Sequence, residues 1–308
     1  MPDPDQPLPD EPQFPLWKRL ILPVWNGGHH LARRLSDVTR AIGHRRVGLC
    51  PACGRLGLMF YRRRVIVPEL ERRWGLTPAL AEAFARKESM DCSRCGVKLR
   101  GRRLSSVLLE LYPVGVPPAP ARSLADWVGS REARSLRVVE INRVEGLHEI
   151  LLDLPGFESS DYRDQAAPGE IVDGVRSEDL TRLTYADALF DLVITSETLE
   201  HVPDLAAGLR EIRRILKPGG RHVFTVPQLP GVASTFARAV LDDQGSKIDR
   251  VTPISHPGGD VGYPVFTEFG QDLPEILRAA GFEVEVRFGP TRDDDVAQVY
   301  VTRKPIEA

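Results

Sequence analysis

Residues 189–227 read LFDLVITSETLEHVPDLAAGLREIRRILKPGGRHVFTVP, and this stretch decides the fold class. Leu192–Thr195 is apolar and β-prone behind Phe190-Asp191, the profile of a strand buried on both faces of a parallel sheet. Leu205, Leu209, Ile212, Ile215 and Leu216 recur at helical spacing, and Lys217-Pro218-Gly219-Gly220 stops that helix. Val223–Val226 supplies the next strand. A strand–helix–strand unit of this kind crosses over right-handed, and its ligands lie beyond the carboxyl ends of the strands. Those ends are Ser196-Glu197 and Pro227-Gln228.

Three motifs in this stretch, Phe190-Asp191-Leu192-Val193, Glu200-His201-Val202-Pro203 and Leu216-Lys217-Pro218-Gly219-Gly220, make the chain resemble the class I S-adenosylmethionine-dependent methyltransferases of the type 11 kind. The likeness runs, more loosely, from about Ser135 to Arg303. It implies an α/β fold, a doubly wound, mostly parallel seven-stranded Rossmann-like sheet, with S-adenosyl-L-methionine as cofactor. The motifs specify the fold well and are nearly silent about the acceptor.

Outward from that stretch, Arg137–Ile141 reads as the first strand. Glu140 falls where the family carries an acidic residue before its glycine loop, and the family's glycine positions fall on Asn142, Val144 and Gly146. Only the last is glycine. Asn accepts positive φ, whereas a Val forced there would be strained by about 1–3 kcal/mol. The loop must therefore be rebuilt around Val144, or the donor is held more weakly. Leu147–Leu154 reads as a short helix and Phe157–Ser160 as the second strand. The resemblance then implies that Asp161 accepts hydrogen bonds from the ribose hydroxyls. It also implies that Asp179, with Glu178 as second choice, lies near the adenine amine. Ser196 completes the expected donor-binding set.

The chain of 308 residues is long enough for two domains. We expect an N-terminal arm over 1–43, a basic zinc-ribbon-like domain over 44–120, and a methyltransferase domain over 121–308 with a lid insertion at 228–270. The Pro- and Asp-rich opening, MPDPDQPLPDEPQ, reads as partly disordered and lacks the pattern of a secretory signal. No apolar run approaches the roughly 20 residues that span a bilayer, so the expected location is cytoplasmic. Trp17–Trp25, with Lys18 and Arg19, could pack on the fold or a dimer partner, or lie at a membrane interface. The net charge of −2 conceals a polarity, since residues 1–130 carry +9 and the remainder −11. A basic N-terminal half fits an anionic partner, or simply contacts to the acidic half and solvated surface.

All four cysteines fall in two knuckles, Cys50-Pro51-Ala52-Cys53-Gly54 and Cys92-Ser93-Arg94-Cys95-Gly96. The two-residue gap turns both sulfurs of a pair inward, the spacing for four thiolates around a tetrahedral, structural Zn²⁺. A redox pair or plain buried thiols are the other readings. Leu76–Lys87 between the knuckles has helical periodicity.

Toward the reacting end, Gly231–Gly270 is polar and rich in turn-formers, too long for a plain connection. Its place after the Val223–Val226 strand sets it over the expected acceptor pocket as a lid. Gln271–Ala280 reads as a helix, and Phe282–Phe288 with Gln298–Thr302 as a final strand pair. The resemblance implies that this pair forms an antiparallel edge. Methyl transfer from a sulfonium requires alignment and desolvation, and a hydroxyl acceptor also benefits from a general base. The candidates are His201, His256 and Glu197; for each, packing and hydrogen bonding is the structural alternative. With the cysteines committed to metal, a cysteine nucleophile is excluded. The expected activity is O-methylation of a sugar, glycan or other small hydroxylated acceptor. An RNA methyltransferase docking its substrate through the basic ribbon, or a non-catalytic relative, are the alternatives.

Overall fold

A computed structural model describes residues 46–61, 71–72, 74–114, 121–144, 146–228, 231–256, 262–289 and 296–306. The N-terminal arm with Trp17–Trp25, and the arginines at 62–64, lie outside the described residues.

The first described unit is a three-stranded antiparallel sheet of β1 (Arg46–Leu49), β2 (Leu56–Tyr61) and β3 (Met90–Cys92), with β2 in the middle. Helix α1 (Pro78–Ser89) precedes β3; Thr77 caps it by accepting from the Leu80 amide at 3.3 Å, and Pro78 sits where a missing N–H costs nothing. The amphipathic α2 (Leu99–Leu111) follows, and then two short helices, α3 (Leu124–Val128) and α4 (Arg131–Arg134).

The main sheet then begins with β4 (Val138–Ile141), α5 (His148–Leu151), β5 (Phe157–Asp161), β6 (Ile171–Val172), β7 (Val175–Ser177) and β8 (Phe190–Ser196). A 3₁₀ turn (Leu199–His201), α6 (Leu205–Ile215) and β9 (Leu216–Thr225) complete the crossover unit. Asp204 starts α6 by accepting from the Ala207 amide at 2.9 Å, and Leu209, Ile212 and Ile215 line its buried face. The insertion contributes three two-stranded ribbons. These are β10 (Phe236–Ala237) with β15 (Thr267–Glu268), β11 (Ala239–Leu241) with β12 (Lys247–Asp249), and β13 (Ser255–His256) with β14 (Tyr263–Pro264). Helix α7 (Leu273–Ala279) and the strands β16 (Glu283–Arg287) and β17 (Val299–Arg303) end the fold.

The sheet runs β16-β17-β9-β8-β4-β5-β7-β6. Strands β9, β8, β4, β5 and β7 are parallel, and β17 is antiparallel to both of its neighbours. The strand order reverses between β4 and β8, which sets a ligand crevice at the carboxyl ends of those two strands. The sheet has eight strands where seven were expected. The extra one is β6, which hairpins onto β7 through Asp173-Gly174, with φ of 52° and 75°. Asp-Gly with both residues at positive φ is the two-residue turn that matches strand twist. The helix expected over 147–154 shortens to His148–Leu151, and Lys217–Gly220 belongs to β9.

Each face of the sheet has its own core. On one, α6 and α7 bury Leu209, Ile212, Ile215, Leu273 and Leu277 against Val139, Val193, Phe224 and Tyr300. On the other, Leu104, Val107 and Leu108 of α2 and Trp127 of α3 pack with Val138, Leu192, Ile194, Val223 and Val301. Helix α2 is therefore part of the sheet's own core, on the far side of the domain boundary expected at residue 121. Its apolar residues cover strands that would otherwise be bare on one face.

Candidate functional site

The β4–α5 loop solves its missing glycines by local rebuilding. Asn142 takes the positive φ, 59°, and its side-chain oxygen accepts from the Tyr162 amide at 3.1 Å. Val144 keeps negative φ and is buried against the α2 side of the sheet. Gly146 has φ 72°, and a Cβ there would sit 2.9 Å from the Cys95 carbonyl oxygen and 2.8 Å from a Val97 methyl. The one glycine that remains thus seats the second cysteine knuckle against the loop.

Glu140, expected at the donor, points into the protein instead. It has no exposed surface, accepts from the Val144 amide at 3.1 Å, and meets His148 Nδ1 at 2.6 Å. Burial pushes its carboxyl pKa up, while the bond from His148 and the Val144 amide pull it down; the net is a rise. His148 is raised in turn, chiefly by its hydrogen bond to Glu140. The pair staples the loop from below.

Asp161 does stand at the end of β5, as expected of a ribose acceptor, but Arg143 occupies it. The Arg143 amide donates to Oδ1 at 3.1 Å and the guanidinium Nε to Oδ2 at 3.0 Å. The Arg143 side chain is 41% exposed, so this pair is worth at most about 1 kcal/mol and can open. Of the two adenine candidates, Asp179 accepts from Thr181 and Arg182, with a quarter of its side chain exposed. Glu178 is fully buried on Arg176 and Thr184. Ser196 Oγ bonds Thr225 Oγ1 at 2.9 Å. The positive-φ Asn142 and Gly146 and the Asp161 carboxylate at the end of β5 are the groups that would meet an adenosyl donor, with Arg143 holding that carboxylate in this structure.

Glu197 is not a free base. Lys87, buried on α1, reaches over the carboxyl ends of β8 and β9, placing Nζ 2.9 Å from Glu197 Oε1 and 3.2 Å from the Val226 carbonyl oxygen. Burial raises the Glu197 carboxyl, but the charges of Lys87 and Arg100 outweigh it and hold the group below the usual carboxylate range. Removing one partner of such a pair costs about 3–5 kcal/mol, so Lys87 is a fixed part of the rim wall.

His201 and His256 come together, though 55 residues apart. His201 lies in the 3₁₀ turn after β8, and His256 arrives from β13 of the insertion. His256 Nδ1 is 3.2 Å from His201 Nε2, with the rings perpendicular. His201 Nδ1 is spent on the Pro264 carbonyl at 2.7 Å. Glu200 lies beneath them, fully buried. Sequence reasoning passed over Glu200, although its place in Glu200-His201 was the available signal. Nearby, a cavity of about 480 Å³ lined by Pro203, Leu205, Thr235, Phe236, Val240 and Thr267 opens between this turn and the insertion. That is the size of a small-molecule site.

The four cysteine sulfurs converge within 4.8 Å of one another, with Cys50 and Cys95 at 3.8 Å. A tetrahedral ion with sulfur at about 2.3 Å sets its ligands about 3.8 Å apart. Gly54 and Gly96 follow the knuckles at φ 69° and 72°, and each amide donates to the carbonyl of the first cysteine at 2.8 Å. Buried Arg102 donates to the Met90 and Val97 carbonyls at 2.8 and 2.9 Å, a cation placed to offset thiolate charge. The cluster fits a metal ion.

A family model described as a methyltransferase domain matches residues 149–224, from α5 through most of β9. The demethylmenaquinone methyltransferase of Mycolicibacterium vanbaalenii is 53% identical over 45 residues, 15% of this chain and 20% of that protein. That of Corynebacterium urealyticum is 41% identical over 62 residues, 19% of this chain and 27% of the relative. The chain thus spans about a fifth to about a quarter of the length of these two relatives. Among solved structures, an S-adenosylmethionine-dependent methyltransferase from Mesorhizobium loti is similar at 19% identity and a TM-score of 0.36, over 55% of this chain and 91% of that one. No helix among the described residues is long and apolar enough to cross a membrane. Residues 149–224 match the methyltransferase domain family model, and in this chain they form part of a mostly parallel, Rossmann-like sheet.

Proposed function

We propose that the chain transfers a methyl group from S-adenosyl-L-methionine to a hydroxyl of a small acceptor, a sugar, glycan unit or comparable metabolite. The observation that carries the reading is the Asp161 carboxylate at the end of β5, facing the positive-φ loop that follows β4. Asp161, released from Arg143, would bind the donor's ribose. Asn142 and Gly146 give the loop the shape for close approach, and Asp179 is the acidic group on the adenine side. The donor, when bound, supplies an electrophilic methyl group on sulfur.

The chain's own residues align the acceptor, exclude water and handle its proton. The cavity beside Pro203 and Thr267 has room for a small acceptor. Asp204, Thr235 and Thr267 are its polar lining, Glu200 and His201 stand just before Pro203 in the chain, and the insertion brings His256 to His201. With Nδ1 committed to Pro264, His201 offers Nε2 as the lone pair for proton uptake. The four-cysteine cluster would hold Zn²⁺ as a closed structural site, contributing to folding and taking no part in the reaction.

Calorimetric titration of S-adenosyl-L-methionine into the full chain tests the reading, with Asp161→Ala as control. Loss of a charged hydrogen bond should weaken donor binding by about 10- to 100-fold. A chain that gives no heat at millimolar donor is not a methyltransferase.

A further inference from the structure

The three groups at the acceptor side form a closer figure than proton handling requires. His201 Nε2 and His256 Nδ1 are 3.2 Å apart, and each lies 3.6 Å from Glu200 Oε1. An ion bound tetrahedrally by nitrogen and oxygen at about 2.0–2.1 Å spaces its ligands about 3.3–3.4 Å apart. The three measured edges bracket that value.

Two further observations point to a ligand at this spot. Glu200 has no exposed surface, and neither carboxylate oxygen has a hydrogen-bond donor within 3.5 Å among the described residues; the two imidazole nitrogens stand just beyond, at 3.6 Å from Oε1. A buried carboxylate left without donors is rare in native folds, and a bound cation is one of the few things that satisfies it. The tautomer of His201 is also set. Its Nδ1 donates to the Pro264 carbonyl, which turns the Nε2 lone pair toward Glu200 and His256; a metal-binding imidazole is typically oriented by a backbone carbonyl in this way.

We propose that Glu200, His201 and His256 bind a divalent transition cation of the zinc class, at a second metal site distinct from the four-cysteine cluster. Two imidazoles and one carboxylate suit zinc and its neighbours better than calcium or magnesium, which prefer oxygen throughout. Three protein ligands leave one tetrahedral position open, the mark of a reactive rather than a structural site. The open position takes an oxygen ligand. On the methyl-transfer reading that oxygen is the acceptor hydroxyl, so the same residues would bind it through the cation instead of deprotonating it directly. Only that last step rests on methyl transfer; the cation does not.

The test counts metal and needs no catalysis. The full chain is stripped, reloaded with one equivalent of Zn²⁺ to fill the thiolates, titrated with further Zn²⁺, desalted, and measured by elemental mass spectrometry. Wild type should retain two equivalents; His256→Ala and Glu200→Gln should retain one, held by the cysteines. Retention of that one equivalent also reports that each variant is folded. Co²⁺ in place of zinc separates the sites, because thiolate charge-transfer absorption should saturate at the first equivalent while the second adds only weak ligand-field bands. His256→Asn, at a side chain already partly exposed, is the milder variant should alanine fail. A wild-type chain that keeps a single equivalent, or a His256 variant that keeps two, overturns the second site. Neither outcome touches donor binding, which is measured separately by heat.

Discussion

Lys87 Nζ and Glu197 Oε1 lie 2.9 Å apart in a nearly water-free setting, joining α1 of the N-terminal segment to the carboxyl end of β8. The pair closes the rim above β8 and β9. Lys87→Met should cost about 3–5 kcal/mol, because Glu197 is left charged and buried without its partner. The double variant Lys87→Met/Glu197→Gln should regain most of that loss. Denaturant midpoints of the three proteins check it; equal midpoints for the single and double variants would show that packing, not charge, sets the cost.

Arg143 and Asp161 form the opposite case, an exposed pair that would compete with a methyl donor on the proposed function. Arg143→Ala should strengthen binding of S-adenosyl-L-methionine by up to about fivefold, the equivalent of about 1 kcal/mol. Calorimetry at fixed salt reads this directly. Weaker binding in the variant would make Arg143 a donor ligand instead of a competitor.

His222 gives the fold a sensitivity to acid. It is fully buried on β9, stacked on Phe224 and hydrogen-bonded to Thr195 at 2.9 Å, and burial pushes its pKa from 6.5 down to about 3. The unfolded chain therefore binds a proton that the folded chain refuses. Stability from this group is complete above pH 6.5 and is lost as pH falls toward 3. At about pH 4.5 the loss should be about 2–3 kcal/mol. His222→Gln, which keeps a hydrogen-bonding partner for Thr195, should flatten this part of the stability–pH curve measured by urea unfolding.

The cysteine cluster and the β4–α5 loop touch at Gly146, so metal removal should be felt at both. Chelation should lower the melting temperature and weaken donor binding together. Gly146→Ala, strained by positive φ and by the Cys95 carbonyl at 2.9 Å from its new Cβ, should cost about 1–3 kcal/mol with the metal in place. A chelated chain that binds donor unchanged would show the two regions to be mechanically independent.

The sheet was legible where local pattern and topology agree. The β8–α6–β9 unit follows from apolar spacing and the Leu216–Gly220 motif, and the β16–β17 edge from the final pair of β-prone runs. The extra strand β6 was written in Val172-Asp173-Gly174-Val175, a hairpin signal overlooked among the acidic residues that follow it. At the site, residue type announced His201, His256 and the cysteines, whose chemistry is distinctive in any context. It could not announce that Lys87 and Arg143 would reach Glu197 and Asp161, or that Glu140 would turn inward. Those depend on long side chains crossing between elements far apart in the chain, and a flexible stem leaves no periodic trace.

Helix α2 gives the N-terminal segment a role in the economy of the whole molecule. Leu104, Val107 and Leu108 are roof tiles for the central strands, and α2 begins only four residues after Cys95. A fragment trimmed to begin at Ala121 would bare the apolar underside of β4, β8, β9 and β17 and invite aggregation. Any attempt to express the C-terminal sheet alone, or to graft the cysteine knuckles onto another scaffold, must keep residues 99–111 with the sheet.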